Sequence, residues 1–443
     1  MTEIGPGRSE RGPENRPGGA RTEAEAAADA EADALARDAA DPLTSMRDRF
    51  LLPTAADGTP AIYLAGQSLG LQPRTARAAI EAELDAWARL GVDAWFDAER
   101  PWFTREETLR EPMARVVGAR PAEIGILNSL TVNLHLLLTS FYRPAGRHRR
   151  ILVDGPLFPS DRHALTTHLA QRGLDPESDL VVVGPRAGEA TVRTADLEAA
   201  IADRADDLAL VFLGGVNFAT GQALEMERLT AAGHAAGALV GWDLAHAAGN
   251  VEISLHEWDV DFAAWCTYKY LNGGPGAIAA IFIHERHGRD PSIPRLGGWW
   301  GIDPAHRFDP DGPFVPAEGA AGWSLSTSPI LALVPLAASL AIFDEVGMPA
   351  LRARSVALTG YLEGLLDDLP TEIVTPRDPA ARGAQLSLRF PAAETMLERL
   401  ATRGVVADFR APDIIRVAPV PLYNTYHEAW RLAAILREAT SPG

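Results

Sequence analysis

ALVGWDLAHAAGNVEISLHEWDVDFAAWCTYKYLNGGPG, residues 238–276, is the stretch on which the fold turns. Its first apolar run stops on Asp243, with His246 three residues on. A second run, Phe262 to Cys266, leads into Thr267-Tyr268-Lys269 and a Gly-rich turn. Short apolar runs of this kind are strands of an α/β sheet, where chemistry collects at the carboxyl edge. The stretch thus sets an acid, an imidazole, a phenol and an amine at two strand ends.

That set meets the needs of pyridoxal 5'-phosphate. Its pyridine nitrogen draws electrons only when protonated, and a nearby carboxylate stabilises that charge. Its aldehyde needs a lysine amine that condenses with it and later serves as a base. Asp243 and Lys269, 26 residues apart, fit the two roles. Spacing alone leaves the ordinary reading, a surface Asp and Lys at loop entrances, on an equal footing.

Working outward, the runs Leu180–Val183 and Leu208–Leu213 read as buried strands, with a helix at about 225–237 before the strand that ends on Asp243. Upstream, GILNSLTVNLHLLLTSF places Leu130, Leu134, Leu137 and Leu138 on one face, so a helix begins near Ser129–Thr131. Hydroxyl residues at a helix start offer a phosphate seat, and equally a plain N-cap. ILVDGPLFPSDRHAL reads as strand, turn and helix, with Phe158 able to stack on a flat ring and Asp161 three residues later. Beyond Gly276, AIAAIFIH is a further buried strand. This alternation predicts an α/β fold with a mostly parallel central sheet flanked by helices. Residues 291–329, rich in Gly, Pro, Trp and Asp, form a 39-residue loop, too long for a mere connection. Long helices follow at about 330–346 and 348–369, then a small C-terminal α/β domain carrying AQLSLRF, GVVADFR and IIRVAPVPLYNT.

Near the N-terminus, residues 62–73 read as extended chain into a turn, with a helix from Arg74 to about Leu90. Trp95 lies on an irregular segment and is the tryptophan best placed to touch a ligand. Met1–Arg21 has almost nothing to bury and reads as disordered. Residues 22–40 are Ala-rich and acidic, either a solvated helix or more of the same tail. The expected organisation is a flexible extension (1–41), an N-terminal segment packing with the small domain (42–104), a large cofactor-binding domain (105–323) and a small domain (324–443).

Composition narrows the functional classes. The 443 residues exceed one ordinary core. A hydrophobic share of 47% with 23% charged residues is that of a soluble globular protein. A net charge of −18 argues against nucleic acid or an anionic membrane as the main partner. A single cysteine, Cys266, excludes an internal disulfide and a cysteine-based zinc cluster. His284, His287 and His306 show no metal-ligand spacing, so no metal is expected. With neither a membrane-length apolar run nor a signal-peptide core, a cytoplasmic protein is expected.

IYLAGQSLGLQP, NSLTVNLHLLLTSFY, LFPSDRHA, DLAHAAGNVE, VDFAAWCTYKYLNGGPGAIA, IFIHERH, GWWG and RVAPVPLYN, spread over residues 62–424, closely resemble the corresponding segments of kynureninases. The Asp-x-x-His plus Lys pattern marks only the fold type I (aspartate aminotransferase-like) superfamily, whereas WCTYKYLN and RVAPVPLYN are far more specific. The resemblance implies a pyridoxal-phosphate hydrolase that cleaves the Cβ–Cγ bond of L-kynurenine to anthranilate and L-alanine, in tryptophan catabolism or pyridine-nucleotide biosynthesis. It makes Lys269 the cofactor lysine, Asp243 the pyridinium partner and Tyr268 the proton donor. His246, Phe158 and Asp161 would surround the ring, with Leu130, Thr131 and Tyr268 at the phosphate. Trp299 and Thr327 would reach the phosphate from the neighbouring subunit of a homodimer. Arg416 would grip the α-carboxylate bidentately, with Ser68 and Trp95 beside the substrate.

This chain departs from the family pattern at four positions, and Asn217 could supply the hydrogen bond lost at one of them, Gly214. Gln67 stands for the usual Asn, Gly214 for a serine found in some members, and Trp95 and Thr327 for the His and Asn of animal enzymes. Trp95 cannot accept a hydrogen bond from a ring hydroxyl, which favours unsubstituted kynurenine over its 3-hydroxy form. The alternatives are an aminotransferase or lyase of the same fold, or a non-catalytic regulator. A desulfurase-type lyase needs a mobile thiol, and Cys266 reads as a core residue. A regulator would need a basic DNA-binding domain.

Overall fold

A computed structural model describes residues 2, 23–309 and 311–440; apart from Thr2, the stretch expected to be disordered lies outside the described residues. The large sheet has seven strands: β1 (Ile124–Ile126), β2 (Arg150–Asp154), β3 (Leu180–Val183), β4 (Leu208–Gly214), β5 (Leu239–Asp243), β6 (Phe262–Trp265) and β7 (Ala280–Ile283). Their order is β1-β7-β6-β5-β4-β2-β3. Only β7 runs against its neighbours, and the remaining pairings are parallel. Strands β6 and β7 are buried throughout, as apolar runs covered on both faces must be. β3 corrects the expectation of a buried strand: it is the sheet edge, and Val182 is 42% exposed.

Register brings the site together. Gly214 pairs with Asp243, and Asp243 with Ala264. The chain leaving β6 toward Lys269 therefore departs beside the carboxylate that ends β5. Helix α1 (Leu130–Phe141) follows β1, and α2 (Pro159–Gln171) follows β2. Both begin at that same edge.

The second sheet is antiparallel: β8 (Glu372–Ile373), β9 (Leu386–Arg389), β10 (Asp408–Arg410) and β11 (Ile414–Val417), ordered β8-β9-β11-β10. Its apolar face packs Leu386, Leu388, Ile415 and Val417 with Leu432 and Leu436 of the last helix, Tyr426–Thr440. Ile62 and Leu64 join this core, and Ile62–Tyr63 pairs with Val405–Val406. The helices Ile330–Val346 and Met348–Leu366 meet at 84°, with Gly347 at φ 80° between them. That angle of φ is open to glycine at little cost. No single helix among the described residues is long and apolar enough to cross a membrane.

Residues 23–40 settle between the two sequence readings. They form a helix, Glu23–Ala40, docked on the last helix with Ala34 fully buried. The Asp38 carboxylate accepts the Tyr426 and His427 backbone N–H groups at 2.7 and 3.0 Å. It thereby satisfies donors that a helix start leaves unpaired. Asp41 pairs with Arg354 at 2.5 Å.

Candidate active site

One cavity of about 210 Å³ opens at the carboxyl edge of the large sheet. Leu130, Thr131, Phe158, Asp161, Asp243, His246, Tyr268 and Lys269 all line it. The sequence missed Asp154, Ser160 and Phe218, which line it too, together with Asn217, the residue expected to stand in for the serine absent at Gly214.

The floor is acidic. Asp154, Asp161 and Asp243 are each less than 10% exposed. Asp154 accepts the Gly214 N–H at 2.8 Å. Burial nevertheless pushes Asp154 up to about 6. Burial and the adjoining Asp243 carboxylate push Asp161 well above the usual carboxylate range. Asp243 also accepts the Ala245 N–H at 2.7 Å.

The Lys269 amine contacts His246 Nε2 at 2.8 Å. Burial, then the Lys269 charge, holds the His246 imidazole well below its usual pKa. A neutral ring that accepts at Nε2 carries its proton on Nδ1, and that atom is buried without a partner. Phe158 faces Lys269 with its ring centroid 5.8 Å from Nζ. Phe218 meets Phe158 edge-on at 5.2 Å. Thr131 and Ser160, one at the start of each helix, touch at 2.8 Å. Ser129 caps α1 without a side-chain bond, leaving the first N–H groups for a ligand. Burial raises the Tyr268 phenol, which therefore stays protonated at neutral pH.

A flat cationic ring with a phosphate fits these residues. Among the residues lining the cavity, Lys269 is the one Lys or Arg facing the acidic floor. His246 Nδ1 lacks an acceptor among the described residues, and the helix starts carrying Thr131 and Ser160 line the same cavity.

Arg416 lies behind Phe218, fully buried. Its Nη1 donates to Phe218 O at 2.6 Å, and Nη2 to Ser68 Oγ at 3.0 Å and Asp408 Oδ2 at 2.6 Å. The Gly66–Gly70 segment threads between Arg416 and the lysine loop, where Gly70 N–H donates to Tyr268 O at 2.8 Å. A Cβ on Gly70 would overlap Lys269 O, which explains the glycine there.

Five expected residues do not line this chain's own cavity: Arg416 and Ser68, which sit behind Phe218, and Trp95, Trp299 and Thr327. Trp95 packs on Trp102 at 5.7 Å and on Trp300 at 6.2 Å. Trp299 is 52% exposed and donates to Arg307 O. Thr327 lines a separate depression with Ser129 and Val132. Elsewhere Glu123, His256 and His284 set potential metal-ligand atoms within 4.8 Å, a grouping that their sequence spacing hides. These atoms are already engaged: Glu123 Oε1 accepts from Glu285 N and meets His256 Nδ1, and His284 Nδ1 accepts from Arg286 N.

Comparison with known proteins gives the family. Residues 351–436 match the kynureninase C-terminal domain. A kynureninase of Salinispora tropica is 54% identical, the match covering 90% of this chain and 95% of that protein. Those of Koribacter versatilis (51%; 90% and 95%) and Myxococcus xanthus (49%; 92% and 97%) are similar. The chain belongs to the kynureninase family. Its fold is shared with more distant proteins. A cystine C–S lyase superposes with a TM-score of 0.73 at 21% identity, over 86% of this chain and 98% of that one. A cysteine desulfurase of Escherichia coli gives 0.72 at 19%, over 89% and 97%. Both place this kynureninase-family chain in the pyridoxal-phosphate fold type I, as its sequence implied. Cys266 is buried, and burial pushes its thiol up to about 11.

Proposed function

We propose that this protein is a pyridoxal-phosphate-dependent kynureninase that hydrolyses L-kynurenine to anthranilate and L-alanine. The observation that carries it is the convergence of Asp243, His246, Tyr268 and Lys269 on one cavity, in a chain about half identical to kynureninases over most of its length. When bound, the cofactor supplies an aldehyde for the substrate amine and an electron sink for negative charge at Cα.

The protein's own groups do the rest. The Asp243 carboxylate would hold the ring N–H, with Asp161 and Asp154 beside it. The N-terminal N–H groups of α1, with Thr131 and Ser160, hold the phosphate. Phe158 stacks on the ring. Lys269 takes the Cα proton and returns it, its amine positioned by His246. Tyr268 protonates Cβ as the Cβ–Cγ bond breaks after water adds to the γ-carbonyl. Arg416 and Ser68 bind the α-carboxylate. Trp299 and Thr327 complete the site of a second copy in a homodimer, and Trp95 lines the aryl end and favours unsubstituted kynurenine. The protein works in the cytoplasm.

Two measurements test the reading. Purified protein given L-kynurenine yields anthranilate and alanine in equal amounts, and borohydride fixes the cofactor mass on the peptide containing Lys269. A keto acid in place of alanine would make it an aminotransferase.

A further inference from the structure

The Arg416 guanidinium already holds a carboxylate. Asp408 lies directly opposite Arg416 in the β10–β11 hairpin and takes one Nη2 hydrogen, while Ser68 takes the other. Both bidentate forks of a guanidinium, end-on Nη1/Nη2 and side-on Nε/Nη2, require Nη2. An α-carboxylate therefore cannot bind bidentately while both contacts stand. Arg416 Nε, meanwhile, is buried without an acceptor, so the side-on edge retains one donor.

A second partner for Asp408 is already beside it. Arg410 Nη1 lies 2.9 Å from Asp408 Oδ1, two residues along the same strand face. The Arg410 side chain is 39% exposed and held, among the described residues, only by its Nη1 contacts to Asp408 and to Phe409 O at 3.0 Å, whereas that of Arg416 is fixed with none of its surface in solvent. Ser68 Oγ also donates to Asp408 Oδ2, so the hydroxyl moves with the exchange or turns to the incoming ligand.

We infer that Asp408 is a positioning residue that occupies Arg416 until a substrate α-carboxylate displaces it onto Arg410. The exchange swaps one carboxylate for another at a buried cation, so Arg416 never stands unpaired, a condition that is costly for a buried charge. It also selects against ligands without a carboxylate, which cannot replace Asp408.

The inference rests on Arg416 gripping the substrate, and Arg416→Lys tests that first. An unchanged KM for L-kynurenine in that variant would remove the assignment and the exchange together. With the assignment intact, Asp408→Asn lowers both the KM for L-kynurenine and the inhibition constant of L-alanine, each by about 3–10-fold, because the competing charge is gone. Arg410→Gln raises both by a similar factor, since Asp408 has nowhere to go. In the double variant Arg410→Gln has no further effect, the signature of a shared pathway. Inhibition by decarboxylated kynurenine, which lacks the α-carboxylate, stays the same in all three.

A higher KM in Asp408→Asn, additive effects in the double variant, or an equal change for the decarboxylated analogue would each make Asp408 a mere scaffold and overturn the exchange. Should Asp408→Asn fail to fold, Arg410→Gln with the two inhibitors decides alone, because its effect must spare the analogue.

Discussion

The cavity floor and the aromatic cluster that the proposed function sets at its rim are built differently. The floor consists of residues that end strands or begin helices: Asp154, Asp243, Leu130 and the chain just past β6. Backbone register holds each against the next, so one chain assembles it. These aromatics lie on the 39-residue loop, on a single helical turn, Ala94–Asp97, and on the short turn Trp102–Thr104. There Trp95, Trp299, Trp300, Phe103 and Phe308 pack on one another while Trp299, Phe96 and Phe308 remain largely exposed. The chemical end is thus fixed by topology, whereas the aromatic cluster leaves several of its rings open to solvent.

The sharpest break of this contrast is at the floor. Lys269→Ala should lower turnover by at least about 10³-fold, the range of a lost acid–base group, and leave no borohydride-fixed cofactor. Steady-state rates and peptide mass read both.

Next comes the charge of the floor. A carboxyl raised from 3.8 to about 6, as Asp154 is, costs on the order of 3 kcal/mol when ionised in the fold. Its folded value lies above the unfolded one. Its stabilising contribution is therefore complete below about pH 4 and lost as pH rises through about 6. Melting of cofactor-free protein between pH 5 and 7 should fall less steeply in Asp154→Asn than in the wild type. An identical slope would show that the floor is not strained by its charge.

The rim is tested by mixing. Trp299→Ala should cost about tenfold in rate, and mixing it with Lys269→Ala should restore activity if each copy lends Trp299 to the other's cavity. Additive, unrestored rates would return Trp299 to its own chain. The smallest effect is at Trp95: Trp95→His should move the ratio of kcat/KM for 3-hydroxykynurenine over kynurenine upward by about 3–10-fold, as one added hydrogen bond can.

Legibility followed the same division. Asp243 and Lys269 stood out because each closes a local apolar run, and a strand end is a local event. Asp154 closes β2 in the same manner, but a single carboxylate with no partner nearby in sequence gave nothing to set it apart. Asp408 was within reach: counting by twos across the APD turn sets it opposite Arg416. The placement of β3 at the sheet edge could not be read from LVVV, because burial depends on which strands come to lie beside it. The docking of Glu23–Ala40 was equally hidden, since its contacts involve Asp38 and Glu31 rather than an apolar stripe.

That docked helix ties the beginning of the chain to its end. Asp38 meets Tyr426 across 388 residues, among the last contacts that synthesis could permit. A ribosome must release the chain past Tyr426 before the helix Glu23–Ala40 finds its seat. Contacts of such separation slow folding, so the large sheet is expected to consolidate first and the two termini to close upon it as the final clasp.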